Sequence, residues 1–109
     1  MWWWPFTERA TTKRRPALVL SDAGNFNKQV GQSVLAMITS AKNSSWPLDV
    51  EIGNLDSAGL PSASVVRKKL FTLDDRLVIR KAGVLSKTDT LAVLDTLHQL
   101  FNLEIHKKK

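Results

Sequence analysis

Two places in the 109-residue chain carry side chains suited to handling a phosphate. Arg15 stands directly before Pro16 and the apolar run 17–21 (ALVLS), and the proline biases its backbone toward extended conformations. A guanidinium there offers a planar fork of donors that engages two phosphoryl oxygens at once. Thr39 and Ser40 close a second apolar run, 33–39 (SVLAMIT), where a hydroxyl adds a second anchor. RNA brings its own nucleophile to such a site. The 2′-hydroxyl attacks the adjacent phosphorus, and the protein has to position it, move protons and stabilise the charge on the phosphoryl oxygens. If the two runs pair as strands, Arg15 and Thr39 lie at one barrel edge. Residue type alone leaves the ordinary alternatives standing, because an arginine before a strand is often a solvated loop charge and threonine is common in strands.

Other chemistries are poorly supplied. The chain has no cysteine, which removes disulfides, thiolate nucleophiles and cysteine-based zinc sites. Its two histidines, His98 and His106, both sit near the C-terminus. The sequence has no GxSxG elbow, P-loop or HExxH motif, so neither a metal nor a cofactor is expected. The formal net charge of +6 and pI of about 10.0 favour polyanionic or acidic protein partners. The basic residues gather at Arg9, Lys13, Arg14 and Arg15, at Arg67, Lys68 and Lys69, and at Arg80 and Lys81. No apolar run approaches the roughly 20 residues that span a bilayer. With no secretory signal pattern either, the expectation is a cytoplasmic protein without membrane contact.

The elements that must carry these residues follow from the pattern. The chain is long enough for one domain, 1–109, with 106–109 read as a disordered basic tail. Residues 1–6 form an aromatic strand ended by Pro5, and 7–15 an exposed loop. Strands are expected over 17–21, 33–39 and 48–52, with shorter ones over 64–67 and 70–73 and a further segment at 77–79. Residues 22–27 and 53–62 carry turn chemistry. Ser86 with Asp89 makes a capping box, and Leu91, Leu94, Leu97 and Phe101 then share a helical face. Short strands followed by one amphipathic helix predict a mainly β, α+β fold: a small curved barrel with the helix packed against it. So small a domain has a modest margin of stability, which favours a homodimer.

The order of segments resembles a known family. KRRPALVLS (13–21), a turn holding Phe26 and Asn27, AMITS (36–40), WPLDVEI (46–52), GLPSASVVR (59–67), KLFTLDDRL (69–77) and GVLS before the last helix are similar to the MazF/PemK toxins. The resemblance runs from Phe6 to about Leu103. It implies an SH3-like β-barrel of the MazF/CcdB type, a homodimer, and an acidic antitoxin as cognate partner in a bacterial type II toxin–antitoxin system. It also implies metal-independent, sequence-specific cleavage of single-stranded mRNA to a 2′,3′-cyclic phosphate and a 5′-hydroxyl. By the same resemblance Arg15 and Thr39 are the catalytic pair, supported by Ser40 and Glu8. Lys13, Arg14, Trp46 and Lys69 are the candidate RNA contacts, with a protein partner as the alternative at Trp46 and the antitoxin as the alternative at Lys69.

The start of the chain departs from the family. Relatives usually open with Gly-Asp and an apolar first strand, then a Pro-Phe step into the first loop. Here MWWWPF shortens that strand and lacks the Gly-Asp, with reduced activity or stability as the expectation. Two alternatives therefore stay open: a non-enzymatic gyrase-binding toxin of the CcdB kind, and a degenerate member that binds RNA or antitoxin without turnover. Trp2, Trp3 and Trp4 are read as barrel filling and dimer contact before base stacking. Arg67 and Lys68 are read as facing solvent, Phe71 as core, His98 as a surface or partly packed residue, and Asp74 and Asp75 as turn-shaping.

Overall fold

The computed structural model describes residues 1–7, 14–79 and 81–103. Six strands make one antiparallel sheet: β1 (Trp2–Thr7), β2 (Arg14–Val19), β3 (Gln32–Ser40), β4 (Val50–Glu51), β5 (Ser64–Asp74) and β6 (Gly83–Val84). Their order across the sheet is β4-β5-β3-β2-β1-β6. Helices α1 (Lys28–Val30) and α2 (Leu55–Ala58) are short, and α3 (Lys87–Leu100) closes the chain. The ends of the sheet curl toward each other. Trp3 on β1 donates its Nε1 proton to the carbonyl of Ala58, just beyond β4, at 2.6 Å. The predicted mainly β fold with a C-terminal helix is thus present as a curled half-barrel. Among the described residues no helix is long and apolar enough to cross a membrane.

The strand alternation sorts side chains onto two faces. Leu18, Ala36, Ile38 and Val66 point to the inner face, where Val50, Ile52, Leu60, Leu85 and Val93 complete the main core. Phe6, Ala17 and Leu35 point to the other face, with Trp4, Val19, Met37, Phe71 and Leu73 half-buried around them. Phe6 and Phe71 meet there in a tilted ring pair with centroids 5.4 Å apart. The expected core placement of Phe71 therefore holds only in part, since it packs on this second, half-open face.

Helix α3 begins as its capping box predicts: Asp89 donates its backbone N–H to Ser86 Oγ at 3.1 Å. Its buried stripe differs from the predicted one. Val93 is fully buried and Leu97 half-buried, whereas Leu91 and Leu94 are 55% and 48% exposed and Phe101 lies beyond the helix, exposed. The carboxylate of Asp89 turns the helix. It accepts the N–H groups of Gly53 and Asn54 at 2.9 and 3.0 Å, drawing 89, 93 and 97 inward together. Burial raises the Asp89 pKa, but the amides of Asn54 and Gly53 and the Ser86 hydroxyl outweigh it and hold the carboxyl below its ordinary value.

Several boundaries also move. Pro5 lies inside β1 rather than ending it, paired across the ladder with Pro16. The turn at 22–27 is a π-helical turn, Ala23–Asn27, capped by Asp22, and α1 then stops at Gly31 with φ 71°. The strand expected over 48–52 shrinks to Val50–Glu51 because Leu48 adopts φ 66°. The loop 53–62 contains α2, ended by left-handed Gly59. At 77–79 no strand forms; a 3-10 turn, Asp75–Leu77, leads to a single bridge between Val78 and Phe6. The two short strands near 64–73 are one strand with an irregularity. Its register steps from Ala36↔Leu70 to Met37↔Arg67, leaving Lys68 and Lys69 as extra residues in β5.

Gly83 sits where β6 crosses the Trp3–Ala58 hydrogen bond. A Cβ there would collide with the Ala58 carbonyl and the Trp3 indole nitrogen. Gly83→Ala is expected to cost about 2–3 kcal/mol by forcing the sheet ends apart. Urea unfolding of the two proteins checks this, and equal midpoints would remove that contact from the account of the curl.

Candidate functional site

Strands β2 and β3 pair at Ala17↔Met37, Leu18↔Ala36 and Val19↔Leu35. Continuing that register by two residues sets Arg15 opposite Thr39. Phe6 on β1 pairs with Arg15 from the other side, and the start of β2 and the end of β3 open at one rim. A cleft of about 340 Å³ lies at that rim. Arg14, Arg15, Thr39, Ser40, Asn43 and Ser62 supply its polar lining. Pro16, Ile38, Leu60 and Pro61 supply apolar wall. Two guanidinium groups facing hydroxyl donors make a setting for an anionic oxygen cluster.

The segment after β3 is tied down unusually well. Asn43 donates its side-chain N–H to Thr39 Oγ1 at 2.7 Å. Arg67 on β5 reaches across the segment. It donates to the Ser44 carbonyl at 2.6 Å and to both carboxylate oxygens of Asp49, at 3.3 and 2.9 Å. Its guanidinium also lies 5.0 Å from the centre of the Trp46 ring. Asp49 in turn accepts the Trp46 backbone N–H at 2.9 Å, and Lys68 Nζ donates to the carbonyl of left-handed Leu48 at 2.9 Å. The Arg67 and Asp49 side chains are only 10% and 11% exposed, so this pair is shielded from water.

The charges respond accordingly. The Arg67 hydrogen bonds hold the Asp49 carboxyl below its ordinary value of 3.8, against the opposing effect of burial. Burial pushes the Lys68 ammonium pKa down, countered in part by the nearby Asp49 charge. The expectation that Arg67 and Lys68 face solvent is therefore wrong. The irregularity at 68–69 turns Lys68 inward and register puts Arg67 over the loop.

The model of the PemK-like, MazF-like toxins of type II toxin–antitoxin systems matches residues 1–101. The chain belongs to this family. Solved structures agree on the fold. The Mycobacterium tuberculosis toxin MazF-mt6 superposes with a TM-score of 0.76 at 20% identity, covering 96% of this chain and 100% of that one. An endoribonuclease in complex with its cognate antitoxin from a mycobacterial species gives 0.74 at 15% identity, covering 96% and 95%. The MazE–MazF complex of Deinococcus radiodurans (Form-III) gives 0.69 at 28% identity, covering 91% and 89%. No curated protein matches in sequence.

Against this MazF/PemK frame, the cleft brings together Arg14, Arg15, Thr39 and Ser40 of the sequence-derived set. Ser40 is exposed, and its Oγ accepts the Lys42 backbone N–H at 3.2 Å. Trp46 is 44% exposed but stands outside the cleft lining, under Arg67. Lys69 is exposed on β5 and does not line the cleft either. Glu8 and Lys13 lie outside the described residues, as do Arg9, Arg80, His106 and the lysines 107–109. Asn43, Ser62 and the Arg67–Asp49 pair were not singled out from sequence. The pattern holds a faint signal for one of them, an Asp next to a strand with Arg67 in the basic run, but only register reveals the pairing.

Arg67→Met is expected to lower stability by about 2–3 kcal/mol, because it strands a shielded carboxylate and the Ser44 carbonyl. Asp49 is depressed in the folded state, so its contribution is complete at neutral pH and fades as pH falls through its ordinary value of 3.8 toward the lower folded one. The stability gap between wild type and Asp49→Asn should therefore be wide at pH 7 and shrink progressively once the pH falls below 3.8. Urea midpoints at pH 7 and over a series below 3.8 measure it; a gap independent of pH contradicts the bridge.

Proposed function

We propose that this toxin is a metal-independent endoribonuclease that cuts single-stranded mRNA at the Arg15–Thr39 cleft. The observation that carries the reading is that Arg15 and Thr39, from neighbouring strands, line one donor-rich cleft. In this reading the scissile phosphate lies between them. The 2′-hydroxyl attacks phosphorus, the bond to the 5′-oxygen breaks, and the products are a 2′,3′-cyclic phosphate and a 5′-hydroxyl. Arg15 binds the non-bridging oxygens as negative charge grows on them, and Thr39 donates a hydroxyl proton to one of them. Arg15 serves here as a charge stabiliser and keeps its own protons, since a guanidinium is neither a usable base nor a usable acid. The 2′-hydroxyl gives its proton to solvent water, and water returns one to the departing 5′-oxygen. Arg14 is exposed beside it and contacts a neighbouring phosphate without reading sequence. Ser40 assists as a hydroxyl neighbour.

The same cleft suits an acidic antitoxin, which would cover Arg14 and Arg15 and cancel the field that draws RNA. Two of the superposing structures are toxin–antitoxin complexes, which supports a cognate partner of that kind. The half-open second face around Phe6, Trp4 and Phe71 supports a homodimer, in the bacterial cytoplasm where mRNA is met.

Arg15→Ala is expected to cut RNA cleavage in EDTA by at least about 100-fold while leaving thermal stability within a few degrees. Thr39→Val should lose a similar order. Cyclic-phosphate ends from wild type identify the chemistry. An Arg15→Ala protein that is folded and equally active would sink the assignment, and inhibition of gyrase supercoiling without RNA cleavage would favour the non-enzymatic toxin.

A further inference from the structure

The Thr39 hydroxyl has one proton and two lone pairs, and which way the proton points decides whether it can serve a phosphoryl oxygen. Asn43 Nδ2 donates to Oγ1 at 2.7 Å and so occupies a lone pair. The threonine proton is then left to be donated elsewhere, and Thr39 lines the open cleft. Asn43 reaches this position because the turn after β3 is fixed at both ends. Its own N–H donates to the Ser40 carbonyl at 3.1 Å, and the next residue, Ser44, is held through its carbonyl by Arg67. Arg67 is in turn locked by Asp49 and covers Trp46.

We propose that Asn43, held in place by Arg67, is a positioning residue that aims the Thr39 hydroxyl proton into the cleft. The role rests on the endoribonuclease reading given above. Asn43 acts on the substrate through Thr39, so its contribution belongs to the bond-making step and not to RNA affinity. The side chain is exposed apart from this contact, and its replacement leaves the fold intact. An aspartate at 43 reverses the effect. Its carboxylate accepts the threonine proton and turns it away from the phosphate, whose charge it also repels.

The test is a double-mutant cycle on cleavage of an RNA oligonucleotide, with affinity measured on the same oligonucleotide carrying a 2′-deoxy sugar at the cut site. Asn43→Ala should lower kcat about ten-fold, and Asn43→Asp at least as much. The dissociation constant of the 2′-deoxy analogue should stay within about two-fold for Asn43→Ala. On a Thr39→Ala background, adding Asn43→Ala should change residual kcat less than about two-fold. Equal losses on both backgrounds, or a loss confined to affinity, overturn the positioning role. If wild type cuts nothing, the endoribonuclease reading falls, and this role falls with it. That result is distinct, because Thr39→Ala then has no activity to remove.

Discussion

The antiparallel pairing of β2 with β3 sets which side chains meet at the rim. Ala17, Leu18 and Val19 lie against Met37, Ala36 and Leu35, with Ala17, Leu18, Leu35 and Ala36 fully buried. A slip of one residue would turn Leu18 out of the main core and Ala17 into it, so burial on both faces fixes the register. Two residues past the end of that ladder, Arg15 and Thr39 line the same cleft. The pairing of β1 with β2 adds Phe6 beside Arg15, and the Pro5–Pro16 pair at the next step has no N–H on either side to donate. The ladder is thus weakest in hydrogen bonds where the cleft opens, and side-chain packing from Phe6 and Phe71 supports it instead.

A second constraint concerns charge. Of the basic residues in the middle of the chain, Arg67 spends its guanidinium on Asp49, the Ser44 carbonyl and the Trp46 ring, and Lys68 spends its ammonium on the Leu48 carbonyl. Both are consumed in shaping the segment after β3. The positive field at the cleft therefore comes from Arg14 and Arg15 on the opposite strand, with neutral hydroxyl donors from Thr39, Ser40 and Ser62 completing it. Close cationic contacts on one side and neutral donors on the other suit a bound phosphodiester, which carries one negative charge shared over two oxygens.

Much of this was legible from sequence because the strands are short and strongly patterned. The runs ALVLS and SVLAMIT announce β2 and β3, and the capping box at Ser86 announces α3. The resemblance to MazF/PemK toxins placed Arg15 and Thr39 on those strands. What was not legible depended on register and on buried polar contacts. Helical periodicity counted leucines and missed that Asp89, pulled in by two backbone amides, would choose the buried stripe. The pair of lysines at 68 and 69 looked like a break between strands, because an irregular step in β5 carries the same polar signature as a loop. Arg67 and Asp49 are 18 residues apart and become partners only after β4 and β5 pair.

The central claim is that one phosphate is held jointly by Arg15 and Thr39. The most direct test is an NMR titration of the labelled protein with a short RNA made uncleavable by a 2′-deoxy sugar, following the Arg15 Nε–H and the Thr39 and Asn43 signals. The account predicts that all three move together along one saturating curve, with Trp2 and Lys81, which lie outside the cleft lining, unaffected. Signals that stay fixed at Arg15 and Thr39 while RNA binds elsewhere would contradict it.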